Sequence, residues 1–146
     1  MTVTFRPVQA EDKAQWLALW QGYCGFYASS VPAHVTEHTW QRMLDPQSPI
    51  FCRVALVEGQ LAGFALCVLH EGTWVTSPIC YLEDLFVDPA FRGNGVARSL
   101  IQFVLNEGKE QGWSRFYWHT RIHNPARKLY DEFVTADDFV RYSVTL

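Results

Sequence analysis

The 146-residue chain has no apolar run approaching the ~20 residues that a membrane-crossing helix requires. Its first residues, MTVTFRPVQAEDK, lack the charged-then-apolar pattern of a secretory leader, so a cytoplasmic location is expected and a membrane partner is not. Cysteine is sparse: Cys24, Cys52, Cys67 and Cys80 form neither a CxxC pair nor a Cys/His spacing suited to zinc. Three of the four sit in apolar, strand-like runs and read as reduced core residues. His119 and His123 straddle a strand-to-helix join with no third ligand in view, and no metal is expected. Positive charge is also short, with 12 Lys+Arg against 15 Asp+Glu and a net charge of −3. No basic stripe offers itself to nucleic acid. Repeats, low-complexity segments and linkers are absent, so residues 1–146 are expected to form one domain.

What is abundant is core material, with 49% hydrophobic and 15% aromatic residues. VTFRP (3–7) reads as a strand closed by Pro7. Asp12 is then a candidate helix cap, with Gln15 in a capping-box position. Trp16, Leu19, Trp20, Tyr23, Phe26 and Tyr27 recur at helical spacing. That stripe reads first as core, although its end, Tyr23 to Tyr27, is placed to wall a pocket. Thr36 is expected to open a second helix, ended by Pro46 and Pro49. FCRVALVEGQLAGFALCVLH (51–70) reads as two strands about a tight turn at Glu58-Gly59, the second apolar on both faces and therefore central in a sheet. CYLEDLFV (80–87) is the next strand, followed by a helix from Gly95. RFYWHT (115–120) is a strand, Asn124-Pro125 begins a helix with Ala126, Leu129, Tyr130 and Phe133 inward, and FVRYSV (139–144) is a last strand. The order implies an α/β (α+β) fold: a mixed, mostly antiparallel sheet of about six to seven strands with helices on both faces.

The stretch FVDPAFRGNGVARSLI (86–101) carries the chemistry. A strand, a glycine turn and a helix N-terminus leave backbone N–H groups unpaired and pointing outward, and glycines let a phosphate approach them. Arg92 adds a forked cation. A P-loop needs Gly-Lys-Ser/Thr, and Gly95 is followed by Val96-Ala97-Arg98. A dinucleotide fingerprint needs a third small residue where Arg98 stands, which also disfavours a nucleotide-binding oxidoreductase. R-x-x-G-x-A is met by Arg92, Gly95 and Ala97.

That pattern resembles the coenzyme A pyrophosphate loop of the GNAT N-acetyltransferase superfamily. YLEDLFVDPAFRGNGVARSLI (81–101) resembles the family's strand-loop-helix motif, and HNPARKLYDEF (123–133) resembles its second motif. The Tyr-Leu-Glu-Asp start is similar to the diamine acetyltransferase branch. Two features depart from the family: VTADDF (134–139) replaces the usual Gly-Phe pair, so Asp137 or Asp138 stands at that turn, and the first third carries no family signature.

The resemblance implies a GNAT-like fold, acetyl-CoA as cosubstrate, transfer of acetyl to a primary amine by direct attack on the thioester, and a homodimer. It places the pyrophosphate on Arg92, Gly93, Asn94, Gly95, Val96 and Ala97. The pantetheine arm lies along Leu85, Phe86 and Val87 as an added strand, with Asn124 and Tyr130 toward the thiol end. Glu83 is the implied general base and Tyr130 the implied general acid. Strand alternation puts Glu83 and Asp84 on opposite faces unless a bulge re-aims one of them. From periodicity alone Tyr130 reads as an inward core tyrosine. Arg127 and Lys128 read as a solvated helix face. Tyr27, Glu83 and Trp118 are the expected acceptor-binding residues, with Trp74 and Tyr81 as further aromatic candidates. The expected acceptor is a small molecule, a polyamine or an amino-acid-like amine. Protein lysine or N-terminal acetylation and a non-catalytic acyl-CoA sensor remain the alternatives.

Overall fold

The structure, a computed structural model, describes residues 1–146. Its elements run β1 (Val3–Pro7), α1 (Lys13–Phe26), α2 (Ala33–Leu44), β2 (Ile50–Val57), β3 (Gln60–His70), β4 (Ile79–Val87), α3 (Val96–Gln111), β5 (Arg115–Tyr117) and α4 (Arg127–Tyr130). One sheet is formed in the order β1-β2-β3-β4-β5. The first four strands pair antiparallel, and β5 joins β4 in parallel. The mixed, mostly antiparallel sheet is as expected, and β3 is central because it is apolar on both faces. The β2–β3 turn is the two-residue Glu58-Gly59, with φ of 50° and 78°, the pair of positive values a tight hairpin of this kind demands.

Each face of the sheet has its own core. On one, Trp16, Trp20 and Trp40 pack with Cys52, Val54, Phe64, Leu66 and Phe86 beneath α1 and α2. Trp16 is fully buried and stacks on Trp20 at 5.3 Å, so most of the aromatic stripe of α1 is core. On the other face, Ala55, Ala65, Cys67, Cys80 and Leu82 pack against Val96, Leu100, Ile101 and Val104 of α3. A bidentate Arg53–Glu107 pair, 2.7 Å at both nitrogens, ties β2 to that helix.

The sheet has five strands, fewer than the six to seven expected. Residues 139–144 join no strand of the sheet. Strand propensity forms a strand only beside a partner, and β5, the last of the sheet, holds register for just Arg115 to Tyr117. The Asn124–Phe133 helix is correspondingly reduced to a short α4. Two capping expectations also change. Helix α2 begins at Ala33, leaving Thr36 in its first turn, where its hydroxyl accepts the Trp20 indole N–H at 3.1 Å. Asp12 caps no α-helix. It turns inward, accepting from Arg6 at 2.7 and 3.0 Å and from the Gln9 backbone at 2.8 Å. Gln15 instead accepts from the Leu61 N–H.

The Arg6 guanidinium holds the buried Asp12 carboxyl below its usual range. A lowered folded-state pKa stabilises above the unfolded value and is lost as pH falls through the folded one. Asp12→Ala is expected to lower unfolding free energy by about 2–3 kcal/mol at neutral pH. The gap to wild type should narrow below pH ~4, as read by urea denaturation across pH.

Candidate active site

The site begins with an irregularity in β4. Leu66 pairs with Asp84 and Cys67 with Leu82, so Glu83 has no partner on β3. Cys80 and Leu82 before this bulge, and Leu85 and Val87 after it, all pack on the α3 face. Glu83 and Asp84 are therefore carried together toward the α1 side, the exception to alternation that a bulge allows. Beyond Tyr81, β4 also loses β5, which ends at Tyr117. The edge of β4 from Leu82 to Val87 is left without a neighbouring strand.

This divergence opens a cavity of about 770 Å³, whose walls include Tyr23, Tyr27, Tyr81, Glu83, Leu85, Trp118, His119, Arg121, Tyr130 and Arg141. Of the residues singled out in the sequence, Tyr23, Tyr27, Tyr81, Glu83, Leu85, Trp118 and Tyr130 meet here. Phe86 and Val87 are buried in the two cores instead. Trp74 is 97% exposed and lines no wall. Tyr130 sits edge-on to Trp118 at 5.7 Å. Burial, and then the neighbouring Tyr27, raises the pKa of its phenol. Asn124 spends both amide atoms on the turn before α4, donating to Thr120 at 2.7 Å and accepting from the Ala126 N–H at 2.9 Å. It supports the Tyr130 helix rather than lining the cavity.

The glycine turn has the shape of an anion cradle. Gly93 and Gly95 have φ of 81° and 73°, open to glycine at little cost. No backbone N–H from Gly93 through Arg98 donates to another backbone group. Asn94 closes the turn through the Phe91 and Arg92 carbonyls. The Arg92 Nε donates to the Val87 carbonyl at 2.9 Å, and its guanidinium lies 5.4 Å above both Phe26 and Phe86. Arg92 is thus anchored at the end of β4.

His119 and Arg141 carried little sequence signal as site residues. Arg141 donates to His119 Nε2 at 3.1 Å, and the Tyr81 hydroxyl lies 3.1 Å from the same atom. An arginine only donates, so Nε2 accepts from it. Tyr81 stacks on His119 and on Tyr117. The Tyr23 hydroxyl donates to Asp84 at 2.7 Å. Burial drives the Asp84 carboxyl up to about 6, Tyr23 draws it partly back, and Glu83 raises it again.

A carboxyl raised in the folded state opposes folding once ionised. This contribution lowers stability as pH rises from ~4, the unfolded value, through about 6. Asp84→Asn is expected to remove that decline, so the variant should gain on wild type between pH ~4 and ~6 in urea denaturation.

Comparison with known proteins agrees with this geometry. A model of the acetyltransferase (GNAT) family matches residues 14–133. The D-amino-acid N-acetyltransferase of Saccharomyces cerevisiae is 31% identical over 143 residues, covering 96% of this chain and 89% of its own. Among solved structures, the ribosomal-protein-alanine N-acetyltransferase of Brucella melitensis biovar Abortus superposes with a TM-score of 0.84 at 22% identity, covering all of both chains. AAC(6')-Iy, solved with the bisubstrate analogue CoA-S-monomethyl-acetylneamine, does so at 0.82 and 20% identity, again over the full length of both. At these identities the two structures show the fold alone. The family match and the yeast relative together show that this chain belongs to the GNAT acetyltransferase family and is an acyltransferase enzyme.

Proposed function

We propose that the chain, acting as one domain over residues 1–146, is an acetyl-CoA-dependent N-acetyltransferase whose acceptor is a small primary amine. The carrying observation is that Glu83 and Tyr130, a carboxylate and a phenol from distant segments, wall one cavity at the unpaired edge of β4. The anion cradle from Arg92 to Ala97 fits a pyrophosphate: its free N–H groups and helix N-terminus face an approach that no Cβ at Gly93 or Gly95 obstructs. The edge at Leu85–Val87 fits the amides of the pantetheine arm, which bring the thioester to the cavity. A backbone N–H there polarises the thioester oxygen, a contribution of about 3–4 kcal/mol in comparable sites.

An alkyl amine arrives as an ammonium, with a pKa near ~10.4, and must lose a proton before attack. Glu83, exposed at the bulge, attracts the cation and takes its proton directly or through water. Tyr130 keeps its own proton at neutral pH because its pKa is raised, and donates it to the departing thiolate. The carbonyl carbon gains the amine nitrogen and loses sulfur in one attack. Cys52 and Cys67 are buried with thiols pushed up by burial, which leaves them inert as acetyl carriers.

Between the polyamine and the amino-acid-like acceptor, the walls favour the second. Arg121 and Arg141 stand in the same cavity as Glu83. A zwitterion satisfies both signs, whereas a polyamine meets guanidinium repulsion. Tyr27 and Trp118 supply apolar surface for the side chain. The four free cysteines suit a cytoplasmic, reducing setting.

A homodimer is part of the same reading. Val140, Tyr142 and Val144 are 73%, 92% and 85% exposed, and Phe139, itself 87% exposed, borders the cavity with Arg141 and Ser143. A second copy pairing with this segment covers the first set and leaves the second in place. Sedimentation should give twice the chain mass, and Tyr142→Asp should shift it toward one chain. A wild-type monomer at micromolar concentration contradicts the dimer.

Thiol release from acetyl-CoA tests the activity. With free amino acids the wild type should turn over faster than with spermidine. Tyr130→Phe should lower kcat by ~10²-fold while acetyl-CoA still binds. Equal rates in the two proteins would remove Tyr130 from the acid role.

A further inference from the structure

Asp84 is the most enclosed carboxyl of the cavity region, yet nothing in the reaction above uses it. It lies on β4 beneath α1, whose close approach is made possible by Gly22: a Cβ there would come within 3.1 Å of the Phe86 ring. The same approach places the next residue, Tyr23, over Asp84. The Tyr23 ring is fixed by edge-on contacts with Tyr27, Phe64 and Phe86 at 5.0, 5.9 and 6.0 Å. Its hydroxyl donates to Asp84 at 2.7 Å, and the residue lines the cavity beside Glu83 and Tyr130. The hydroxyl has one hydrogen, and the carboxylate takes it. What Tyr23 presents toward the cavity is therefore lone pairs.

We propose that Asp84 is a positioning residue acting through Tyr23, which it locks as a hydrogen-bond acceptor for the incoming amine. The proposal deepens the acetyltransferase reading and rests on it. An ammonium donates one N–H to the fixed Tyr23 oxygen and another to Glu83, and the two acceptors aim its lone pair, once freed, at the thioester carbon. A carboxylic acid at position 84 would no longer demand the phenolic hydrogen. Tyr23 could then turn it toward the cavity and oppose a cation there.

The groups that act on Asp84 are Tyr23 from α1 and Glu83 from its own strand. Cys24 on α1, Cys52 on β2 and Tyr81 on β4 feel its charge in turn. On β3 its partner is the apolar Leu66. No basic side chain forms a salt bridge with it. The acid limb of kcat/KM should therefore report a carboxyl with a midpoint of about 6. The amine's own limb lies at ~8 or above and is common to all variants.

The test is the pH profile of kcat/KM for wild type, Tyr23→Phe, Asp84→Asn and Glu83→Gln, with D-phenylalanine, L-lysine and spermidine as probes. Acetyl-CoA-induced thermal stabilisation serves as the folding check. Asp84→Asn should lose the limb near 6. Tyr23→Phe, deprived of the bond that favours the carboxylate, should move it to higher pH and raise KM for the amine at least ~10-fold. Glu83→Gln should move the limb to lower pH, since Glu83 pushes Asp84 up. If Tyr23→Phe and Asp84→Asn bind acetyl-CoA and lower kcat/KM evenly at all pH values, with the limb unmoved, the pair only packs and the proposal is overturned. Absence of turnover by wild type with every probe, despite acetyl-CoA binding, counts against the acetyltransferase reading instead. In that event the carboxyl ¹³C titration of Asp84 decides the coupling: a midpoint that does not rise in Tyr23→Phe overturns it.

Discussion

The site depends on one extra residue in β4. With Glu83 unpaired, the pleat skips a step and two successive carboxylates share a face. The strand beyond it leaves β5 behind and exposes an edge. Without the bulge, alternation from Cys80 and Leu82 would turn Asp84 toward α3, away from Glu83. Without the divergence, β5 would occupy the edge proposed for the pantetheine arm. The free N–H groups of the glycine turn lie just past the end of the same strand. Edge, carboxylates and anion cradle are thus consequences of how nine residues of β4 meet their neighbours.

Two cores of different character hold this strand in place. The α1 face is built from aromatic rings whose contacts continue from Trp16 through Phe64 to Tyr23 and Phe86. It sets the ring of Tyr23 against β4. The α3 face is built from small and branched side chains, which let the helix approach closely and bring its N-terminus to the end of β4. Gly63 is needed between them: a Cβ there would meet the Phe86 carbonyl oxygen at 2.6 Å. Rigidity on both sides matters because a raised carboxyl and a buried phenol hold their properties only while water stays out.

Much of this was legible in the sequence. The glycine turn announced itself by Gly93 and Gly95 after a strand, and the central place of β3 by its unbroken apolar run. Glu83, Tyr27, Trp118 and Tyr130, singled out in the sequence, line one cavity. The bulge was left open: alternation put Glu83 and Asp84 on opposite faces unless a bulge re-aimed one, and the packing of residues 80, 82, 85 and 87 on α3 reveals it. Other features were not readable locally. His119, Arg121 and Arg141 reach the cavity only through the path of the chain after β5. The last strand was wrongly expected because FVRYSV has strand composition, while a strand also needs a partner that this chain does not provide. Asp12 looked like a cap because a caps-and-spacing reading cannot see Arg6 arriving from the neighbouring strand.

The central claim is that the amine attacks the thioester directly within this cavity, with no acetyl group parked on the protein. Initial rates of thiol release, measured over a grid of acetyl-CoA and amino-acid concentrations, test it most directly when paired with the intact mass of the protein after acetyl-CoA alone. Direct attack predicts lines that intersect in double-reciprocal form and a mass unchanged by acetyl-CoA. Parallel lines together with an acetylated protein that transfers its group to added amine would contradict it.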